Sequence, residues 1–245
     1  MSYTIGNKIA LVTGANRGIG KSIVEHLLAN GAKKVYLAVR NTASTGELEK
    51  SYGDRVKTLR ADVADKRSIQ ALAEQATDVD VVINNAGILA SAPAIGADTE
   101  AALKNELDIN LFGLLNVANA FAPALEQNKG ALVQLNSVVS IRNFSAFATY
   151  SVSKAASYSL TQALRETLAP KGVKVVSVHP GPIDTDMGAQ AGFDQVAPAS
   201  VVAQSILEAL EKDEFHAFPD EMAKMFGEGY KSYADNFVTA DLGGE

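Results

Sequence analysis

The chain has 245 residues, of which 47% are hydrophobic and 20% are charged, and its formal net charge is −6. This composition is typical of a globular protein, and the acidic balance argues against a general surface for nucleic acid or anionic membranes. The sequence contains no cysteine, its three histidines show no metal-ligand spacing, and no apolar run approaches the roughly 20 residues that span a bilayer. We therefore expect no metal, nucleic acid or membrane partner. Because no signal-peptide h-region precedes the first apolar run, we also expect a cytoplasmic protein.

The first predicted strand, residues 8–13, leads into a glycine-rich turn and then a helix that ends at Asn30-Gly31. This order is typical of a dinucleotide site, in which glycines let the backbone approach a pyrophosphate at the helix N-terminus. The alternative is a tight turn that needs glycine only for its positive φ. The candidate cofactor residues of this turn are Gly14, Asn16, Arg17, Gly18, Ile19 and Gly20.

The second predicted strand, residues 35–39, ends at Arg40 and Asn41. In dinucleotide folds an acidic residue at this strand end binds the ribose hydroxyls, whereas a nearby arginine accepts a 2′-phosphate. This chain has no carboxylate there, and Arg17 adds a second guanidinium from the glycine-rich turn. Either arginine alone could be an ordinary surface charge, but two guanidinium groups suit a phosphate dianion. The sequence therefore predicts NADP(H) as the cofactor, with Arg40 and Asn41 among its contacts.

Further strands alternate with helices along the chain. Strands are predicted at 56–61, 79–83, 130–136 and 173–178, and helices at 66–76, 99–125 and 148–169. The alternation predicts an α/β fold, a doubly wound, Rossmann-like parallel sheet of six to seven strands with helices on both faces. Since no linker or repeat interrupts it, we expect residues 1–245 to form a single domain. The loops after the strands then share the carboxyl edge of the sheet, where ligands bind in such folds.

Three side chains at this edge are suited to moving a proton. Ser137 follows the strand at 130–136, and Tyr150 and Lys154 lie four residues apart on the next helix, which places them on one face. The alternative is an ordinary exposed helical pair, because the Tyr-x-x-x-Lys pattern is common. The rest of the chain favours proton transfer.

Several motifs together resemble the short-chain dehydrogenase/reductase family in its compact single-domain form. They occur in the family's order and cover residues from about 6 to 190. The motifs are Thr13-Gly14-x-x-x-Gly18-x-Gly20, Asp62-Val63, Asn84-Asn85-Ala86-Gly87, Asn110, Ser137, Tyr150-x-x-x-Lys154 and Pro180-Gly181.

The resemblance implies a role for each motif. Asp62 and Val63 would hold the adenine. Asn85, Ala86 and Gly87 would line the cofactor channel, and the nicotinamide end would be held by Pro180, Gly181, Ile183 and Thr185. The family's catalytic tetrad corresponds to Asn110, Ser137, Tyr150 and Lys154.

These four residues suggest a mechanism for reducing a carbonyl group. Ser137 would hold the carbonyl oxygen and Tyr150 would supply the proton. A free tyrosine has a pKa of about 10, so we expect the positive charge of Lys154, helped by the oxidised nicotinamide ring, to lower that pKa toward neutrality. The resemblance further implies that Lys154 binds the ribose and that Asn110 holds a water behind it.

The C-terminal part departs from the family. A helix near 198–211 and a short seventh strand at 214–218 precede a helical tail from about residue 219, which carries a stripe of methionines and aromatic residues. Many members instead end in a segment that builds a tetramer, so a tetramer is in doubt, and we expect a homodimer through the helices near 100–125 and 148–168. The stripe favours packing over a substrate site, and the tail is expected to be dispensable for the chemistry.

The sequence thus predicts an NADPH-dependent carbonyl reductase, or equivalently a secondary-alcohol dehydrogenase, for a neutral and hydrophobic ketone or aldehyde. The expected pocket wall consists of Leu89, Val139, Phe144, Phe147, Met187 and Phe193. One alternative is a non-catalytic NADP-binding regulator, although an intact tetrad weighs against it. Another is a ketoacyl reductase, which would need a basic docking patch for an acyl carrier protein that the sequence does not clearly show.

Overall fold

The computed structural model describes residues 3–193 and 195–240. Within these residues seven parallel strands form one sheet in the order β3-β2-β1-β4-β5-β6-β7. The strands are β1 (Ile9–Thr13), β2 (Lys34–Val39), β3 (Val56–Arg60), β4 (Val81–Asn84), β5 (Ala131–Leu135), β6 (Lys174–Val178) and β7 (His216–Ala217). The predicted doubly wound α/β fold is confirmed, and the short seventh strand extends its edge.

Helices cover both faces of the sheet, which explains why the inner strands are mostly apolar runs, whereas the edge strand β3 mixes buried and exposed residues. The helices are α1 (Gly18–Ala29), α2 (Gly46–Tyr52), α3 (Lys66–Gln75), α4 (Thr99–Leu107), α5 (Gly113–Asn128), α6 (Ala148–Leu168), α7 (Asp186–Gln190), α8 (Ala199–Lys212) and α9 (Glu221–Tyr233). One core joins the sheet to α1, α2 and α8, and the other joins it to α3, α5 and α6. Sequence analysis missed α2 and α7, which are short and bury few apolar side chains.

The order of the strands reverses at β1, which pairs in parallel with β2 on one side and with β4 on the other. Leu11 of β1 lies opposite Tyr36 on one side and Val82 on the other. At such a reversal the connections leave toward opposite faces of the sheet, and a crevice opens at the carboxyl ends of the strands. The fold therefore positions a ligand site beside the turn after β1.

The long helix predicted at 99–125 is interrupted by one π-helical turn, Asp108–Phe112, between α4 and α5. Asn110 lies in this turn and is buried. Single π-helical turns are frequent at functional sites.

The C-terminal tail forms α9 and a second π-helical turn, Ala234–Val238. Residues 241–245 of the predicted tail lie outside the described residues. The predicted homodimer stays a prediction. Phe112, Leu115 and Val152, on the helices expected to form it, each expose a third or more of their surface. No helix in the described part of the chain has both the length and the apolar character needed to cross a membrane.

Candidate active site

A cavity of about 530 Å³ opens at the carboxyl edge of the sheet. Every residue that the sequence assigned to the cofactor lines it, from Gly14 in the turn after β1 to Thr185 in the turn after β6. Ser137, Tyr150 and Lys154 line the same cavity, whereas Asn110 does not. The fold therefore brings the glycine-rich turn and three of the four predicted catalytic residues together.

The glycine-rich turn has the geometry of an anion site. Gly14 and Gly18 have φ angles of 66° and 50°, which favour glycine, and a Cβ on Gly20 would lie 2.1 Å from the Gly14 carbonyl oxygen. Arg17 precedes α1 without a side-chain cap, and the first turn of α1 carries no acidic residue. The free N–H groups and the positive end of the helix dipole are therefore available to an anion such as a pyrophosphate.

Arg17 and Arg40 are exposed and line the same cavity. The Nη1 atom of Arg17 donates to Oδ2 of Asp186 at 2.7 Å, which joins the turn after β1 to the start of α7. Both side chains are more than two-thirds exposed, so this ion pair contributes little to folding. Sequence analysis missed Asp186 because its partner, Arg17, lies 169 positions earlier, and no sequence pattern near Asp186 indicates this contact.

The loops after β3 and β4 are held rigidly beside the cavity. The Asp62 carboxylate accepts from the N–H of Ala64 at 3.1 Å, and Asn116 Nδ2 donates to the Val63 carbonyl at 3.0 Å. Asn85 Nδ2 donates to the carbonyl oxygens of Thr13 and Gly14, at 2.9 and 3.3 Å. Asn85 therefore fixes the glycine-rich turn as well as lining the cavity.

Thr13 explains why the glycine motif begins with a hydroxyl residue. Its Oγ1 accepts from the N–H groups of Asn85 and Ala86, both at 3.0 Å, and donates to Oδ1 of Asn84 at 3.1 Å. Since all these groups are buried or half-buried, each bond replaces one that water would otherwise make. Thr13 thereby holds the ends of β1 and β4 together at the crevice.

Ser137, Tyr150 and Lys154 surround the inner end of the cavity. Ser137 follows β5; its Oγ donates to the Pro180 carbonyl at 3.2 Å and accepts from the Val139 N–H at 3.3 Å. Lys154 lies one helical turn after Tyr150 on α6, and its Nζ is 5.8 Å from the centre of the tyrosine ring. Nζ donates to the Leu135 carbonyl at 2.7 Å. All three side chains are buried.

Burial changes the pKa values of both titratable groups in this set. It lowers the pKa of Lys154 to about 8. It raises the pKa of the Tyr150 phenol well above the usual value, and the negative charge of Glu106 raises that pKa further, while contact with the Ser137 hydroxyl acts the other way. Burial therefore dominates the phenol's pKa in the protein without its cofactor. The expectation that Lys154, helped by the oxidised nicotinamide ring, lowers that pKa stays a prediction. The phenol is held protonated, as a proton donor must be.

Asn110 supports the segment after β4. Its Oδ1 accepts from the Ile88 N–H at 2.9 Å, and its Nδ2 donates to the Ile88 carbonyl at 3.0 Å and to Ser153 Oγ at 2.9 Å. A Cβ on Gly87 would lie 3.0 Å from Asn110 Oδ1 and 3.6 Å from Lys154 Nζ, so glycine allows these groups to approach. The role of Asn110 in holding a water behind Lys154 stays a prediction.

Glu106 was not identified from the sequence. It is fully buried on α4; its Oε1 accepts from the Ala90 N–H at 2.8 Å, and its Oε2 has no partner among the described residues. Ile88 therefore bonds to the π-helical turn, through Asn110, and Ala90 bonds to α4, through Glu106. Leu89 lies between them and lines the cavity. Glu106 lies one helical turn before Asn110, and this spacing is the sequence signal that points to it.

The outer wall of the cavity is apolar. It includes all six side chains expected there, namely Leu89, Val139, Phe144, Phe147, Met187 and Phe193. Met222 of α9 also lines it, and the Phe226 ring lies 6.2 Å from that of Phe144. The tail thus contributes to the cavity wall. The expectation that it is dispensable for the chemistry stays a prediction.

Known proteins are similar to this chain in sequence and in fold. The family model described as short chain dehydrogenase matches residues 8–195. The chain belongs to the short-chain dehydrogenase/reductase family. An uncharacterized oxidoreductase of Staphylococcus saprophyticus is 35% identical over 214 residues, covering 80% of this chain and 91% of that protein. One of Staphylococcus epidermidis is 33% identical over 213 residues, covering 84% and 92%.

Solved structures of short-chain dehydrogenases agree with this assignment. The crystal structure of one from Burkholderia cenocepacia, in complex with NADP, superposes with a TM-score of 0.87 at 33% identity and covers 97% of this chain and 100% of that chain. A short-chain dehydrogenase from Streptomyces avermitilis gives a TM-score of 0.83 at 27% identity, with 94% of each chain covered. Short-chain dehydrogenases/reductases are oxidoreductases that use NAD(P)(H), and the glycine-rich turn and open helix N-terminus of this chain fit a pyrophosphate. Among the described residues, no group of three or more His, Asp or Glu side chains is arranged to hold a metal ion.

Proposed function

We propose that this protein is an NADPH-dependent carbonyl reductase, or equivalently a secondary-alcohol dehydrogenase. The observation that carries the proposal is the buried set of Ser137, Tyr150 and Lys154, which faces the same cavity as the glycine-rich turn. An oxidoreductase of this family that acts on a carbonyl group needs a proton donor beside the nicotinamide site. A protonated phenol at this place meets that need.

The chain's own residues divide the work of the reaction. When bound, the nicotinamide supplies hydride for reduction or accepts it for oxidation. Ser137 holds the substrate oxygen by a hydrogen bond and fixes its distance from Tyr150. The Tyr150 hydroxyl gives its proton to that oxygen as negative charge develops there, and Lys154, which remains charged below a pH of about 8, stabilises the phenolate that is left.

The preference for NADP(H) is supported by two arginines. Arg17 and Arg40 line the cavity, and no carboxylate stands at the end of β2 to bind an unphosphorylated ribose. The solved relative from Burkholderia cenocepacia contains NADP.

The substrate is proposed to be a neutral, hydrophobic ketone or aldehyde. The outer wall is formed by aliphatic, aromatic and methionine side chains. The charged residues that line the cavity lie in the loops assigned to the cofactor or in the catalytic set, apart from Asp186, which pairs with Arg17. Such a wall favours apolar groups and offers no partner for a carboxylate.

A panel of neutral ketones and aldehydes of increasing size, followed by NADPH consumption and chiral product analysis, tests the activity. Turnover of an apolar member supports the proposal. NADPH binding without turnover of any member would instead favour a regulator. Strict dependence on acyl-carrier substrates would favour a ketoacyl reductase.

The cofactor preference is tested by Arg40→Asp. We expect this change to lower the NADPH-over-NADH ratio of kcat/KM by about ten- to a hundred-fold, because it removes a charge-assisted bond to the 2′-phosphate and adds a repulsive charge. Lys33→Asp makes the same charge change at an exposed position away from the cavity and should leave the ratio unaltered. Equal use of NADH by the unmodified protein would contradict the NADP assignment.

A further inference from the structure

Asp220 connects the C-terminal helix to the cofactor side of the cavity. It lies between β7 and α9 and is 6% exposed. Its Oδ2 accepts from the Gly181 N–H at 2.7 Å, and its Oδ1 accepts from the Ala223 N–H at 3.0 Å, which caps α9. Both carboxylate oxygens are thus used, one for the turn after β6 and one for the helix.

Close packing strengthens this connection. A Cβ on Gly181 would lie 2.6 Å from Asp220 Oδ1 and 3.2 Å from the Met222 Cβ. No room is left between the turn and the start of α9, so a shift of either one displaces the other.

The two segments that Asp220 joins both line the cavity. Gly181 lies in the turn after β6, which also contains Pro180 and Ile183 and lines the part of the cavity assigned to the nicotinamide. Met222, two residues after Asp220, lines the apolar wall. A single buried carboxylate therefore fixes the turn that contains Gly181 against the start of α9, which carries Met222.

We propose that Asp220 is a positioning residue, which holds the Gly181 turn in place beneath the cofactor and sets Met222 in the substrate wall. The proposal rests on the proposed function for the identity of the ligands. A carboxylate suits this role because it accepts two N–H bonds at once, and bonds to an ionised acceptor are stronger than neutral ones. Neutral side chains of similar size offer one good acceptor and leave one N–H without a partner.

Three variants of the full chain separate positioning from folding. Asp220→Ser keeps a side-chain oxygen that caps α9 but is too short to reach Gly181 as well. Asp220→Ala removes both bonds. Glu221→Gln is the matched control, since it removes a neighbouring negative charge that is exposed and paired only with Lys224 in the described structure.

The measurements are thermal stability, NADPH affinity by fluorescence, and kcat and KM for a ketone that the unmodified protein reduces. We expect Asp220→Ser to retain a melting temperature close to that of the unmodified protein while NADPH affinity and kcat fall, kcat by about ten- to a hundred-fold. Asp220→Ala should lose stability in addition, and Glu221→Gln should match the unmodified protein in all measurements.

The proposal is overturned if Asp220→Ser binds and turns over like the unmodified protein, because the residue is then only a helix cap. It is also overturned if Glu221→Gln reproduces the losses. A failure of the proposed function gives a different result. In that case the unmodified protein itself shows no turnover, and NADPH affinity in Asp220→Ser still decides whether Asp220 positions the turn.

Discussion

Tyr150 and Lys154 lie one helical turn apart on α6, and burial drives their pKa values in opposite directions. The phenol's pKa rises, so the phenol remains a proton donor. The pKa of the ammonium group falls to about 8, which is still above neutral pH, so the group keeps its charge there. The two groups are thus prepared for reduction before any ligand binds.

Tyr150→Phe tests the proton donor. The change removes one oxygen and leaves the ring volume almost unchanged, so folding and NADPH binding should persist. Turnover should fall by at least about a hundredfold, the lower end of what general acid catalysis contributes. The measurement is kcat with NADPH affinity as the control. Retention of more than about a tenth of the turnover would contradict the mechanism.

Glu106→Gln tests the influence of the buried carboxylate on Tyr150. Glutamine keeps an oxygen for the Ala90 N–H and removes the negative charge that raises the phenol's pKa. Oxidation of an alcohol needs the phenolate, so its rate rises with pH through the pKa that the phenol has in the complex with the oxidised cofactor. This inflection should move to lower pH in the variant. Asp108→Asn removes the same charge from an exposed position two residues later and should leave the profile unchanged. An unmoved inflection in Glu106→Gln would refute this role.

Helix α9 is the element whose contribution differs most from expectation. Two of its aromatic side chains pack against the body of the protein, Phe226 near Phe144 and Tyr230 near Tyr158. Tyr233 is 54% exposed, and Met222 reaches the cavity. The methionine and aromatic stripe therefore serves both packing and the substrate wall.

Met222→Ala should widen the substrate wall. We expect the kcat/KM ratio of a bulky over a small ketone to rise by about tenfold or more, because loss of several carbon atoms from an apolar wall alters discrimination by this order. Met225→Ala, on the same helix but 62% exposed, is the control. If both variants keep the unmodified ratio, Met222 does not contact the substrate.

At the scale of the whole molecule, the buried His179 and the half-buried His216 link folding to pH. His179 bonds to the hydroxyls of Ser140 and Ser177, at 2.9 and 2.8 Å, and His216 to that of Tyr158 at 2.6 Å. Burial lowers their pKa values from 6.5 to about 3 and about 4. Below pH 6.5 the unfolded chain therefore binds protons that the folded chain excludes.

The free energy of unfolding should accordingly fall as the pH decreases from 7.5 to 5.5. Each histidine contributes a loss of about 1.4 kcal/mol over this interval. Urea unfolding at the two pH values measures the loss. His216→Phe should remove about half of the dependence, whereas His26→Gln, at a partly exposed position on α1, should not. A pH dependence that His216→Phe leaves intact would show that other groups cause it.

The sequence by itself determined the strands, the glycine-rich turn and the face shared by Tyr150 and Lys154. These features depend on local rules. A strand covered on both faces is a continuous apolar run, and residues four apart on a helix point the same way. Helix α2 escaped prediction because Leu48 is its single buried residue, which leaves no apolar period to recognise.

Only the tertiary structure decided the contacts of Asp220, Glu106 and Met222, and the direction of the phenol's pKa. Asp220 meets Gly181 across 39 positions, and Glu106 meets Ala90 across 16, so neither pair leaves a local pattern. Burial raises the phenol's pKa in the protein without its cofactor, and the depth of that burial depends on the packing of several elements around α6. Electrostatic interactions and burial depend on which groups lie close together in space. The sequence alone predicts such contacts only between residues that are near each other along the chain.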